Sequence, residues 1–363
     1  MDIETQILYL CSRQDFNAQH QERLVQLCRT PTLRWDQLLH TARIHSVTPL
    51  LYHNLSILDP SRLNIPQETF ESLEQEYQKN LVVRQTSRET LQRVFSYLAG
   101  KSIEVLLVKG EALSLLVYDQ PWYLKMADVD LVIKLKPSDT DPKFLKEIST
   151  FIETINPPLS EGYEQIEFDF FRHHDVTMND VLPVDFERIW RDAQPFEHAG
   201  HQVYLMSIED LLIASAINAC RKRFFRLKSL FDIAEITRRS QGLQWETFIE
   251  KSAAYQANAI VYTALLLAQT TLGCAYPTDL LDRLDVNPLR RRIIDRLVQY
   301  LSQNFSLYDL TVRSDLTILG RKFSRTLMLT YASYRWNQVG RKMAEVYRNR
   351  NNTHGWNPQS LSG

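Results

Sequence analysis

Residues 103–134 read "IEVLLVKGEALSLLVYDQPWYLKMADVDLVIK", and this stretch decides the fold. A branched apolar run closed by Gly110 predicts a buried strand, and a short helix follows it. The segment from Asp128 to Lys134 alternates and predicts a second strand, so Asp128 and Asp130 project from the same side. Aspartate is disfavoured in strands, and its burial without a partner is costly. The pair therefore needs an explanation.

A metal site is one explanation for the paired acids. Two carboxylates this close repel each other unless a cation or a proton lies between them. Mg²⁺ is bound by one or two carboxylates together with water and substrate phosphates. A third acid on a neighbouring strand would complete a site for phosphoryl or nucleotidyl transfer, and Asp185 in "PVDFERI" is the candidate. The alternative is a strand end whose acids reach solvent.

The turn at Lys109 and Gly110 lies just upstream of the acids. A strand followed by a short helix can offer backbone N–H groups and a helix N-terminus to a phosphate, with Lys109 as an added charge. The glycine spacing of a P-loop is absent from the sequence.

The flanking sequence is mostly helical. We expect a helical region over residues 1–98, an α+β core over 99–206, a helical domain over 207–350 and a disordered tail over 351–363. Within the first region, residues 66–100 predict one long helix, broken at most once. Ser207 is the expected N-cap of the helix that follows the core, which we expect to break near Phe224. The core's further predicted strands are "EQIEFDFF", "HHDVTM", "LPVDFERIW" and "HQVYLM".

Composition excludes several classes of protein. The formal net charge of −1 over 363 residues gives no global signature of binding to nucleic acid or acidic membranes. Acidic residues stand where a signal peptide needs basic ones, and the longest apolar run, at 260–268, is too short to span a bilayer. The cysteines have no metal-binding spacing and predict reduced, mostly buried thiols in a cytoplasmic protein. They are Cys11, Cys28, Cys220 and Cys274.

Two basic segments allow two interpretations each. The first contains Arg221, Lys222, Arg223, Arg226 and Lys228, which form either a solvated helical face or a surface that offsets phosphate charge. The nearby Asp232 is expected to pair with a basic residue. The second, residues 313–350, mixes basic and aromatic residues. We favour an amphipathic helix packed on the core over an RNA-binding segment.

The histidines are expected to be mainly structural. His45 follows an amphipathic helical pattern, which favours a buried, hydrogen-bonded role. His173 and His174 are adjacent, so in a strand they face opposite ways and cannot act as one pair of ligands.

The motifs together resemble the nucleotidyltransferase superfamily that includes polymerase beta and the kanamycin nucleotidyltransferases. A closer likeness is to a bacterial family of largely uncharacterised nucleotidyltransferases. "LVKGEALSLLVYDQPWYLKMADVDLVIK" resembles its core pattern, and "RWDQLLHTARIHSVTPLLYHNL", "PVDFERIW" and "NACRKRFFRLKSLFDIAE" resemble its flanking patterns. The likeness covers residues 34 to about 240.

The resemblance implies a polymerase-beta-like α+β core that transfers an NMP group from an NTP to an acceptor and releases pyrophosphate. It implies Mg²⁺, with Mn²⁺ as an alternative, held by Asp128, Asp130 and Asp185. The sequence leaves the acceptor open: a small molecule, a sugar, a peptide, a protein side chain or an RNA end, of which the RNA end is not favoured. The expected nucleotide-binding residues are Lys109, Gly110, Lys125, Lys222, Arg226 and Lys228.

The chain departs from the family pattern at several positions. Lys125 stands where the family usually has Arg, and Glu111 where a small residue is common. Asn218 and Lys222 stand where histidines are frequent, and Glu187 replaces the usual His. Two alternatives therefore stay open: a phosphotransferase that uses the same carboxylates, and a degenerate nucleotidyltransferase fold that serves as a binding scaffold.

Overall fold

The computed structural model describes residues 1–134, 142–155, 167–172, 182–239, 242–304, 306–312 and 318. The predictions for His173, His174 and the strand "HHDVTM", for most of 313–350 and for the tail at 351–363 lie outside these residues. No helix in the described part of the chain is long and apolar enough to cross a bilayer.

The first 100 residues form helices, as their periodicity predicts. The last of these helices is unbroken over 34 residues, with Pro66 at its N-cap. It packs against two strands of the sheet, so the helical region and the core share one continuous apolar interior. The helices are α1 (Ile3–Cys11), α2 (Ala18–Cys28), α3 (Trp35–His45), α4 (Thr48–Ser56), α5 (Pro60–Leu63) and α6 (Gln67–Gly100).

A mixed five-stranded sheet forms the core and confirms the α+β fold class. Its strands are β1 (Glu104–Leu107), β2 (Asp128–Lys134), β3 (Glu167–Arg172), β4 (Gln194–His198) and β5 (His201–Leu205). The spatial order is β3-β2-β1-β5-β4, and β2 runs antiparallel to β1 but parallel to β3. Helices α7 (Lys109–Leu116), α8 (Pro142–Ile155) and α9 (Phe186–Asp192) and the 3₁₀ turn Pro121–Tyr123 connect the strands.

The prediction of a strand in "LPVDFERIW" is wrong. Helix α9 begins at Phe186, and Asp185 is its N-cap, with the Arg188 backbone N–H donating to the Asp185 carboxylate at 3.1 Å. A short apolar run fits either a strand or a helix, and here the capping aspartate favours the helix.

A second set of helices follows the sheet along the chain, and the first of them packs on α7. Ser207 is the N-cap of the first of them, as predicted, and accepts a hydrogen bond from the Asp210 N–H. The predicted break follows it, where Arg223 and Phe224 both adopt left-handed backbone with φ of 63° and 59°. The helices are α10 (Ile208–Arg221), α11 (Leu227–Arg239), α12 (Trp245–Ala254), α13 (Asn258–Leu272), α14 (Leu280–Arg283), α15 (Pro288–Asn304) and α16 (Leu307–Val312).

The four cysteines are free and buried, which confirms that part of the sequence prediction.

Candidate functional site

The paired acids lie at the start of β2. Asp128 is exposed, whereas Asp130 is 3% exposed and the residues 129–133 around it are all buried. Lys109 forms an ion pair with the buried Asp130 carboxylate. A buried carboxylate needs such a partner, and the pair shows how this strand accommodates Asp130.

Lys109 reaches Asp130 from a strained turn. It is the first residue of α7, and its φ of 51° lies in the left-handed region, which costs a non-glycine residue roughly 1–2 kcal/mol. A Cβ at the next residue, Gly110, would lie 2.8 Å from the Met126 Sδ, so a side chain there would require Met126 to shift. The lack of a side chain at Gly110 therefore lets the start of α7 pack closely on the segment that leads into β2.

Glu111, which departs from the family pattern, does not face Asp128 and Asp130. Its carboxylate is buried, 3.0 Å from Arg84 Nη1 and at an ion-pair distance of 3.4 Å from His198 Nε2. Burial raises the pKa of Glu111, but interaction with His198 and Arg84 outweighs it and holds the pKa below its ordinary value. Glu111 therefore stays ionised inside the protein, so its charge is already compensated.

One cavity of about 720 Å³ brings most of the predicted site together. Of the lining residues that the structure describes, seven are cations and two are carboxylates, although the whole chain has a net charge of −1. Such a concentration of positive charge attracts a polyanion. The lining residues are Arg43, Ser46, Lys109, Gly110, Lys125, Met126, Ala127, Asp128, Asp130, Asn218, Arg221, Lys222, Arg226 and Lys228.

The cations from α10 and α11 are crowded. Lys222 is the C-cap of α10, and burial lowers its pKa, as do the charges of Arg226 and Lys228. The Asp128 carboxylate acts in the opposite direction on the same lysine, which places Lys222 within electrostatic range of the paired acids. Cations that repel one another in this way favour an anion between them.

Lys228 is held in place by an ion pair with the buried Asp232. Its Nζ lies 2.8 Å from Asp232 Oδ2, and the buried Tyr118 hydroxyl donates to Asp232 Oδ1 at 2.5 Å. The expected pairing of Asp232 with a basic residue is thus confirmed. Because both Asp232 oxygens have protein partners, this carboxylate fixes one cation of the cavity wall.

The N-terminal helices contribute residues that the sequence did not single out. Arg43 and Ser46, at the end of α3, line the cavity. His45 between them is buried, and its Nδ1 accepts a hydrogen bond from the Leu227 backbone N–H at 2.9 Å. This bond docks the end of α3 against the start of α11, between Arg226 and Lys228. It agrees with the structural role expected of His45.

Asp185 lies outside this set. It is exposed at the N-cap of α9 and does not line the cavity, so its assignment as the third carboxylate stays a prediction. The backbone register offers another acid, because Asp169 of β3 is paired directly with Asp130 of β2. The alternation of "EFDFF" was the available signal for Asp169.

The donor set suits a hard cation. Among the described residues, those that line the cavity have carboxylate oxygens and no thiol or imidazole. In the described part of the chain, no group of three or more acidic, histidine or cysteine side chains is arranged so that it could hold a metal ion. Two carboxylates match Mg²⁺ or Mn²⁺ shared with substrate phosphates, whereas zinc prefers nitrogen and sulfur ligands. The residues therefore fit the metal that the resemblance implies.

Comparison with known proteins gives one clear relationship. No curated protein matches the chain. A family model described as uncharacterised nucleotidyltransferase matches residues 31–273, which include every residue of the cavity wall. This match covers more than half of the chain, and the protein therefore belongs to that nucleotidyltransferase family.

Proposed function

We propose that the protein transfers an NMP group from an NTP to the hydroxyl of an acceptor and releases pyrophosphate. The observation that carries the proposal is the cavity in which Asp128 and Asp130 lie with seven cations, counted among the described residues. A triphosphate is a polyanion, and charge stabilisation is the main demand of its chemistry.

Asp128 and Asp130 have the metal-binding role in this proposal. A bound Mg²⁺ or Mn²⁺ would supply Lewis-acid stabilisation of charge on the phosphate oxygens. Asp130 is already positioned by its ion pair with Lys109, and Asp128 is exposed at the first position of β2. Lys109 then has a second role as a cation next to the phosphates.

The remaining cations bind and orient the triphosphate. Lys222, Arg226 and Lys228 approach from α10 and α11, and Lys125 lies on the segment before β2. Lysine offers a point charge to a phosphate, whereas arginine adds a bidentate fork. In the reaction, the acceptor oxygen bonds to the α-phosphorus and pyrophosphate departs with the electron pair of the broken P–O bond. The cations stabilise the charge that builds up on the departing group.

The third acid is proposed from two candidates. Asp185 matches the family motif, and Asp169 pairs in register with Asp130. Either acid would serve as an additional metal ligand or help to remove the acceptor proton.

Thermal unfolding tests the nucleotide site without any knowledge of the acceptor. The wild type and Asp128→Asn would be compared with each NTP, with and without Mg²⁺. A ligand at 100 times its Kd stabilises the folded state by about 2.7 kcal/mol, which is visible as a shift of the midpoint. We expect a Mg²⁺-dependent shift for at least one NTP that the variant loses. No shift with any NTP would favour the binding scaffold.

Product analysis then separates the two enzymatic alternatives. Once an acceptor is in hand, pyrophosphate release supports nucleotidyl transfer. Release of an NDP would instead show attack on the γ-phosphate and a phosphotransferase.

A further inference from the structure

A second cavity adjoins the main one. It has a volume of about 350 Å³, and we call it the side pocket. Three of its lining residues, Arg43, Lys125 and Met126, also line the main cavity, so the two spaces share a wall. A single ligand can therefore extend from one space into the other. The described residues that line the side pocket are Arg43, Thr48, Pro49, Glu76, Lys79, Asn80, Val83, Lys125 and Met126.

The side pocket has an apolar part that suits a flat ring. Pro49, Val83 and Met126 are buried residues of its wall. Small-molecule sites combine such apolar walls with a few polar groups, and their volumes are roughly 300–1,000 Å³. An NTP has two matching parts, a polyanionic triphosphate and a base with largely apolar ring faces. The triphosphate suits the cationic main cavity, and the base suits the side pocket.

Glu76 offers a hydrogen-bond acceptor in the side pocket. Its Oε1 accepts a hydrogen bond from Arg43 Nε at 2.7 Å, and Arg43 Nη2 lies 2.6 Å from the same oxygen. No described residue donates a hydrogen bond to Glu76 Oε2. The ion pair therefore orients the carboxylate and leaves one of its oxygens available to a ligand.

Two cations of the side pocket offer hydrogen-bond donors. Arg43 donates through Nε to Glu76 and through Nη2 to the Ser72 hydroxyl, whereas its Nη1 donates to no described residue. Lys79 is exposed, lies three residues after Glu76 on α6 and pairs with no carboxylate of the described chain. Residues three apart are neighbours on a helix surface, so Lys79 lies next to Glu76. These side chains thus offer one acceptor and two donors to a base.

Guanine is the base that best matches this set. Its N1–H and its N2 amino group are neighbouring donors, which suit a carboxylate. Its O6 and N7 are neighbouring acceptors, which suit arginine and lysine. Adenine has an amino group in place of O6 and would present a donor to the cations. Cytosine and uracil have a single ring and lack the N7 acceptor.

We infer that the side pocket binds the base of the NTP and selects guanine, with Glu76 as the specificity-determining residue. This inference rests on the proposed function. The Glu76 carboxylate accepts hydrogen bonds from guanine N1 and N2, and Arg43 and Lys79 donate to O6 and N7. The apolar part of the wall contacts the faces of the ring.

The test measures nucleotide binding to the full chain by calorimetry, with Mg²⁺ and without an acceptor. GTP is compared with ATP, CTP and UTP, and also with ITP, which lacks only the 2-amino group of guanine. We expect GTP to bind at least about tenfold more tightly than the other three NTPs, because a site built to hydrogen-bond a group discriminates against ligands that lack it. The Kd of ITP should exceed that of GTP at least about fivefold, since the contact from N2 to Glu76 is lost.

Two variants assign the selectivity to Glu76. Glu76→Gln keeps the length of the side chain but replaces one carboxylate oxygen by an amide donor, and it should remove the difference in Kd between GTP and ITP. Glu71→Gln makes the same change at an exposed position on α6, outside both cavities, and should keep the difference. A purely structural role of Glu76 would weaken the binding of both nucleotides equally, so the ratio of the two Kd values is the measurement that decides.

Similar Kd values for the four NTPs, a preference for another base, or an unchanged ratio of GTP to ITP binding in Glu76→Gln would each overturn the inference while leaving the proposed function intact. If no NTP binds in the presence of Mg²⁺, the proposed function itself fails and the inference fails with it.

Discussion

Arg84 and Glu111 form an ion pair in the interior, with Nη1 3.0 Å from Oε2 and both side chains 4% exposed. Glu111 directly follows the turn at Lys109 and Gly110 in the sequence. Glu111→Ala should lower the free energy of unfolding by about 3–5 kcal/mol, because the arginine is left buried without its partner. Urea denaturation measures the change. Glu147→Ala, which removes the exposed partner of Lys101, is the control and should cost under about 1 kcal/mol.

The strained backbone at Lys109 predicts a difference between two truncations. Lys109→Ala and Lys109→Gly both remove the ion pair with Asp130. Only glycine tolerates the φ of 51° without steric cost, so the glycine variant should be more stable than the alanine variant by about 1 kcal/mol. Denaturant midpoints of the two variants provide the measurement. Equal midpoints would show that the turn relaxes.

Replacement by asparagine should affect stability differently at the two aspartates of β2. Asp128 is exposed, so Asp128→Asn should change stability by less than about 0.5 kcal/mol while lowering kcat at least about 100-fold. Asp130→Asn should also reduce activity, but it leaves Lys109 without its carboxylate and should lower the thermal midpoint. Normal turnover in Asp128→Asn would remove this residue from the proposed mechanism.

The third acid can be assigned by a matched pair of variants. Asparagine caps a helix about as well as aspartate, so Asp185→Asn keeps the N-cap of α9 and tests the carboxylate alone. Asp169→Asn tests the residue in register with Asp130. We expect a fall in kcat of at least about 100-fold for one variant and a much smaller effect for the other. Asp185→Ala is the control for the cap and should cost roughly 0.5–2 kcal/mol in stability.

His45 predicts a pH dependence of stability. Burial lowers its pKa to about 4, although a backbone hydrogen bond near Leu307 acts the other way and Arg226 lowers it further. The unfolded chain therefore takes up a proton at pH values where the folded protein does not. Stability should fall as the pH drops from about 6.5 towards 4, by an amount on the order of 3 kcal/mol.

The variant His45→Asn isolates this contribution. Its Oδ1 can replace Nδ1 as the acceptor for the Leu227 N–H, but it does not titrate. The difference in unfolding free energy between wild type and variant should therefore depend on pH only in that window. A constant difference would show that His45 does not titrate as proposed.

Local patterns in the sequence predicted much of the fold. The alternation around Asp128 and Asp130, the apolar run before Gly110 and the cap at Ser207 each depend on neighbours in sequence, so they could be predicted. The segment at 182–190 could not, because four or five apolar residues fit a strand and a helix equally well. The cap at Asp185 decided the outcome.

The site was harder to predict where it depends on distant contacts. Arg43 reaches the cavity only because His45 docks α3 on Leu227, a contact between residues 182 positions apart. The inward orientation of Glu111 likewise depends on Arg84 and His198, which come from α6 and β4. No spacing within the sequence records either contact. The register of Asp169 beside Asp130 is non-local for the same reason.

The break between α10 and α11 has a consequence for how long the protein survives. Arg223 and Phe224 are both in left-handed backbone, and the basic residues 221–223, 226 and 228 make this short stretch dense in trypsin cleavage sites. A triphosphate bound to Lys222, Arg226 and Lys228 would close the break against proteases. The protein should therefore survive digestion by trypsin longer when the proposed nucleotide is bound than in its absence.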